Sequence, residues 1–179
     1  MSMRKLLVAP ALGLLPFLAL AAAALAESPN LGTPISPEDL APWDISIGPD
    51  GTGLPAGSGT VKQGETVFMA KCQACHNEKG AGQPNDRLVG GRGTLAGDKP
   101  AIKTVGSYWP YATTLFDYVR RAMPLNESKS LSNDEVYGVV AYLLNLNGVI
   151  PETETINAQS LPKVMMPNRD GFIVFKRGD

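Results

Sequence analysis

Apolar positions recur at helical spacing in three stretches of this chain, and each stretch opens on a capping signal. The clearest opens at Ser132, where Glu135 three residues on completes the pattern of a capping box. Val136, Val139, Val140, Leu143 and Leu146 then form one apolar stripe, and Gly148 stands where a C′ glycine ends a helix. Thr60 with Gln63 predicts an earlier helix, running through Val61, Val67 and Phe68 toward residue 72. Thr114 with Asp117 predicts a shorter one between them, carrying Leu115, Tyr118, Val119 and Ala122. Gly64 falls inside the first helix, where glycine costs about 1 kcal/mol relative to alanine. It shares a face with Phe68 one turn on, which predicts close approach of the 132–147 helix, with Tyr142-Leu143 as the contacting pair. A tolerated surface glycine is the competing reading.

The 19 Gly and 15 Pro gather in residues 28–60 and 77–110, which therefore read as loop and extended chain. This divides the chain into a Pro/Gly-rich arm at 27–59, a compact domain at 60–148 and a C-terminal extension at 149–179. No internal repeat is present. Ahead of the arm, Arg4 and Lys5 precede an apolar run at 6–25, and Ala24-Leu25-Ala26 is a small-x-small cleavage signal. Residues 1–26 thus read as a signal peptide cleaved after Ala26, which places the mature chain in the periplasm. The competing reading is a retained anchor, since a bilayer takes roughly 20 apolar residues. Pro10, Gly13 and Pro16 interrupt such a helix, so no stable membrane span is expected after cleavage. Removing Arg4 and Lys5 from 16 Lys+Arg leaves 14 against 17 Asp+Glu, a balance of −3. That is no surface for a polyanion, and nucleic acid is excluded as a partner.

The chemistry lies in Cys72-Gln73-Ala74-Cys75-His76. C-x-x-C-H is the attachment signature of a c-type haem: two thiols on one helical turn add to the vinyl groups of one porphyrin, and the histidine becomes the proximal iron ligand. A zinc site needs four ligands, and the chain has 2 Cys and 1 His. A thioredoxin-like pair would sit in a strand-helix-strand pattern, and a disulfide within one helical turn has poor geometry. One covalent haem c is the expectation.

The other axial position decides what the iron can do. A second histidine is impossible, and both thiols are used. Met69 is one turn before Cys72 on the same helix, so it is expected to pack in the core. Met123 precedes Pro124, which disfavours helix at the residue before it and puts the thioether on an extended segment. Met166-Pro167 repeats that dipeptide and competes, beside Met165. Tyr108, Trp109 and Tyr111 line the pocket or reach a propionate, or form a buried aromatic cluster. Arg120 and Arg121 are helix-end cations that neutralise propionates, meet an acidic partner or stand solvated.

Gly64-x-x-x-Phe68-x-x-x-Cys72-x-x-Cys75-His76, a later Met-Pro and a last helix with Tyr142-Leu143 together resemble a class I c-type cytochrome, over about residues 60–148. The resemblance implies an all-α fold of few helices whose first and last helices cross beside the haem. It implies a distal methionine before the last helix, which is Met123, so that iron is held by His76 and Met123. It also implies that the Gly80-Ala81-Gly82-Gln83-Pro84 loop supplies the carbonyl that orients His76, with Pro84 as the position. Asn85-Asp86-Arg87 departs from the usual Pro-x-Leu spacing. Cys72, Cys75, His76, Met123, Pro84 and Trp109 are the expected cofactor-binding residues.

The flanks resemble a narrower group. Trp43-Asp44-Ile45, Lys103-Thr104-Val105-Gly106-Ser107-Tyr108-Trp109-Pro110-Tyr111-Ala112, Arg120-Arg121-Ala122-Met123-Pro124 and Met166-Pro167-Asn168-Arg169-Asp170-Gly171-Phe172 are similar to the haem domain of the cytochrome subunit of Sox-type sulfur (sulfane) dehydrogenase and related sulfite dehydrogenases. That resemblance implies an electron carrier with no substrate site of its own. A molybdenum-cofactor dehydrogenase subunit would be its donor, and a downstream cytochrome or oxidase its acceptor. The departure is a single C-x-x-C-H where the Sox-type subunit usually has a second haem domain. The long extensions are expected either to dock the partner or to wrap back on the domain. The alternatives are a general soluble cytochrome c feeding a terminal oxidase and, from another class, a haem enzyme or ligand sensor.

Overall fold

The computed structural model of the chain describes residues 31–98 and 100–173; the signal peptide read at 1–26 lies outside them. Residues 31–41 fall outside the main unit of the chain. They hold one short helix, α1 (Pro37–Leu40), with Pro37 in the first turn and Ser36 Oγ accepting from the Asp39 N–H.

The main unit starts at Pro42. In chain order it contains β1 (Ser58–Thr60), α2 (Val61–Lys71), α3 (Gln73–His76), a 3₁₀ turn at Glu78–Gly80, α4 (Ala112–Ala122), α5 (Asn133–Leu146), β2 (Thr155–Asn157) and a 3₁₀ turn at Leu161–Lys163. The fold is helical, as expected, with one addition. β1 and β2 pair antiparallel, Ser58 with Asn157, Gly59 with Ile156 and Thr60 with Thr155. Three-residue strands are too short to show the period-2 alternation that betrays a strand in sequence.

Both predicted capping boxes form. Thr60 Oγ1 accepts from the Gln63 N–H while Gln63 Oε1 accepts from the Thr60 N–H, and Ser132 and Glu135 do the same for α5. The Glu135 carboxyl is held below its ordinary range, first by the Ser132 N–H and then by Lys71, whose Nζ lies 3.0 Å away and ties α2 to α5. The third signal misplaces its helix. α4 starts at Ala112, with Tyr111 as a cap that offers no side-chain bond. Asp117 serves other groups: its Oδ1 accepts from the Ile47 N–H at 3.2 Å and from Arg121 Nη2 at 2.7 Å. Ser132→Ala is therefore expected to cost about 1 kcal/mol, whereas Thr114→Ala stays within about 0.5 kcal/mol. Thermal unfolding of the two variants beside the parent protein checks that contrast.

α5 is buried on more sides than its stripe predicts: every residue from 136 to 144 is buried. α2 covers one side, where Gly64 meets the Gly138 backbone and Phe68 packs on Tyr142 with ring centroids 5.4 Å apart. Gly138 and Tyr142 are thus the residues facing Gly64, and Leu143 turns elsewhere. α4 packs against α5 as well, with Phe116 on Tyr137 at 4.4 Å. The segments outside 60–148 cover what remains. Tyr137 Oη donates to the Pro55 carbonyl at 2.8 Å, the Ser58 N–H to Asp134 Oδ1 at 2.8 Å, and Ile156, Leu161 and Met166 are buried in the core. Each such aliphatic side chain contributes about 1.5–3 kcal/mol by leaving water. The C-terminal extension therefore wraps back on the domain as far as it is described, to the exposed Phe172 and Ile173.

Candidate functional site

α2 runs as far as Lys71, and Cys72, its cap, leads straight into α3. Cys72 is half-buried, Cys75 is exposed, and neither is in a disulfide. Burial pushes the Cys72 thiol up to about 11, with Lys71 opposing and Cys75 adding to the rise. Both cysteines and His76 border one cavity of about 490 Å³, a size that suits a large organic cofactor. Its apolar walls come from Phe68 of α2, Leu115 and Val119 of α4, Val139 and Leu143 of α5, and Val105 and Trp109 of the loop before α4. Met123 and Pro124 border it too, and the cations on its rim are Lys71, Arg87 and Lys103.

The His76 ring is oriented from behind. Its Nδ1 lies 2.8 Å from the Asp86 carbonyl oxygen. A carbonyl can only accept, so Nδ1 is the donor and Nε2 is the nitrogen left to meet a metal. The acceptor is not the Pro84 carbonyl that the family pattern implies. The added Asn85-Asp86-Arg87 moves it along: the Asn85 N–H donates to the Cys75 carbonyl at 2.9 Å and the Gln83 N–H to the Asn85 carbonyl at 2.7 Å. The loop is pinned under α3 at residue 85, so the next carbonyl faces the ring. Pro84 remains in the cavity wall. No side-chain signal marks a backbone acceptor, and only the stretched spacing to Leu88 pointed to a change.

Met123 caps α4 with φ −119° and ψ 145°, the extended conformation that Pro124 imposes. Its half-buried side chain is on the cavity. Met166 is not: it is 3% exposed within the core. Met165 and Met69 are exposed, the latter at 59%, contrary to the packing role expected of Met69. The buried face of α2 is Val61, Gly64 and Phe68, and the residue after Phe68 is turned about 100° away from it. Trp109 lines the cavity and stands edge-on to Tyr118 at 5.6 Å. Tyr108 and Tyr111 lie off it, Tyr108 against Phe172 and Tyr111 under the Arg169 guanidinium. Arg120 and Arg121 do not border it, and Arg121 is paired with Asp117.

These residues fit haem. Two thiols stand next to a metal-ready imidazole, a soft thioether shares the cavity, and the walls are apolar. Among the described residues no group of three or more His, Cys, Asp or Glu converges on one point, whereas haem iron takes its protein donors from single residues such as His and Met. A helical domain with C-x-x-C-H on the wall of such a cavity defines a class, the c-type cytochromes.

Comparison with known proteins narrows it. The family model for cytochrome C oxidase, cbb3-type, subunit III matches residues 59–143. A chain in the crystal structure of the sulfane dehydrogenase SoxCD from Paracoccus pantotrophus has a TM-score of 0.77 and 38% identity, over 84% of this chain and 74% of that one. Thiosulfate dehydrogenase from Psychrobacter arcticus is 29% identical over 106 residues, 57% of this chain and 32% of that protein. The chain spans about a third of that relative's length. The protein belongs to the cytochrome c family, with covalent haem c as its cofactor, and is related to the SoxCD sulfane dehydrogenase chain and to thiosulfate dehydrogenase.

Proposed function

We propose that the chain holds one haem c through Cys72 and Cys75, with His76 Nε2 and Met123 Sδ as the two axial donors. We further propose that it is an exported, periplasmic electron carrier that accepts electrons from a sulfur-oxidising molybdenum-cofactor dehydrogenase and passes them to a downstream cytochrome or oxidase. The carrying observation is that His76, its proton fixed on Nδ1 by Asp86, shares one apolar cavity with Met123. Bound there, haem supplies reversible one-electron transfer, and a His/Met donor pair raises its potential. Phe68, Leu115, Val119, Val139 and Leu143 would give that cofactor an apolar wall. With His76 and Met123 both holding the iron, no coordination site would be left for a substrate, which argues for a carrier over a haem enzyme or sensor. The likeness to SoxCD along 74% of that chain supports the sulfur dehydrogenase as donor. Among the described residues no helix is long and apolar enough to cross a membrane.

The cbb3-type match favours one second reading, a soluble carrier serving an oxidase without a dedicated donor. Mixing the oxidised holoprotein with a purified sulfur-oxidising molybdenum-cofactor dehydrogenase, in a stopped-flow spectrometer, separates the two. The expected result is haem reduction that requires both dehydrogenase and sulfur substrate, within a complex stable to gel filtration. Reduction no faster than for an unrelated cytochrome c would overturn the dedicated pairing.

A further inference from the structure

The run from Met166 to Phe172 touches nothing in the cavity, yet it grips the loop that does. Met166 is buried, and the chain turns back over it, the Arg169 N–H donating to the Met166 carbonyl at 3.1 Å and the Gly171 N–H to the Asn168 carbonyl at 3.2 Å. From this turn Asn168 Nδ2 donates to the Tyr108 carbonyl at 2.7 Å. That carbonyl belongs to the peptide unit joining Tyr108 to Trp109, so the bond sets the plane from which Trp109 leaves the chain. Two further contacts bracket the same stretch. Phe172 meets the Tyr108 ring at 5.2 Å, and the Arg169 guanidinium lies 4.5 Å over Tyr111. Trp109 is held on both sides by residues that are themselves held by the tail.

We infer that the turn at 166–172 is a clasp that sets the position of Trp109 in the cavity wall, with Asn168 as the positioning residue; the inference rests on the haem reading above. Anchoring the tail needs only the burial of Leu161 and Met166. A hydrogen bond spent on the peptide of Trp109 serves the loop instead.

The test uses the holoprotein in a Trp43→Phe background. Trp43 is 70% exposed and lies off the cavity, and the chain has 2 Trp, so Trp109 alone then reports. Asn168→Asp keeps the volume and sets a carboxylate oxygen against the carbonyl. The expected result is a rise in Trp109 emission, which bound haem quenches in the parent, together with an altered Soret circular dichroism band and a shifted reduction potential. Amide exchange in 105–111 accelerates about fivefold, the factor an ordinary hydrogen bond is worth. Arg169→Lys retains the cation over Tyr111 and matches the parent, while Arg169→Ala follows Asn168→Asp. If Asn168→Asp does not accumulate, Phe172→Ala gives the same readings from an exposed position. Parent-like emission, Soret dichroism and potential in these variants, even with a lower Tm, overturn the clasp alone. A parent that carries no covalent haem overturns the clasp and the haem reading together.

Discussion

Gly64→Ala is expected to destabilise the protein by about 3 kcal/mol or more, and Gly64→Val to leave little folded chain. An exposed helical glycine would respond the other way, since alanine is better by about 1 kcal/mol inside a helix. The sign of the effect therefore decides what Gly64 does. A Cβ built at Gly64 collides with the carbonyl of Gly138 and comes within 2.9 Å of Tyr142 Cβ. Backbone on α5 cannot swing aside as a flexible side chain can, so α2 and α5 must separate. That separation loosens Phe68 from Tyr142 and opens the cavity wall that Phe68 forms. A loss of this size is a large part of the roughly 5–15 kcal/mol that holds a domain folded. Gly138→Ala is milder, because its Cβ would stand 3.0 Å from the Gly64 nitrogen and 3.2 Å from its Cα, a squeeze that small shifts relieve. Urea unfolding followed by far-ultraviolet circular dichroism gives the order: parent, then Gly138→Ala, then Gly64→Ala. A stabilised Gly64→Ala would remove the close helix contact from the account.

The second large effect concerns the thioether. Met123→Ala is expected to retain covalent haem, because Cys72, Cys75 and His76 are untouched, and to lose the weak sulfur-to-iron band at the red end of the visible spectrum. The reduction potential should fall by on the order of 0.1 V or more, within the roughly 0.8 V that axial ligands span, and carbon monoxide should bind the reduced protein at neutral pH. Met166→Leu is the matched control. Met166 is 3% exposed in the core and off the cavity, so the change should move Tm slightly and leave band and potential in place. Optical redox titration of the two variants checks this. A band that survives Met123→Ala and vanishes in Met166→Leu would exchange their roles.

Local chemistry made much of this legible in the sequence. A capping box needs only residues three apart, so Thr60 and Ser132 announced α2 and α5. Cys72, Cys75 and His76 lie within one turn, and the extended conformation at Met123 follows from its neighbour Pro124. What escaped depends on distant partners. Asp117 looked like the partner of a Thr114 cap and was instead claimed by Ile47 and Arg121. Tyr137 and Leu144 lie off the α5 stripe and are buried because other segments cover that side, Pro55 reaching the Tyr137 hydroxyl. Gly138 is invisible as the partner of Gly64, since a small residue in a helix carries no sign of what approaches it. The Asp86 carbonyl escaped for another reason: any residue could supply that oxygen, so only backbone geometry reveals it.

The pairing of Ser58 with Asn157 carries a consequence for the order of events at birth. The first strand leaves the ribosome long before its mate exists, and both thiols, the histidine and Met123 are made in the interval. Closing so wide a loop costs on the order of 4 kcal/mol in chain entropy, which only the finished core can offset. The ribbon is therefore a latch that needs both ends of the domain to be present. Until residues 155–157 exist, the strand ahead of the cysteines has no backbone partner.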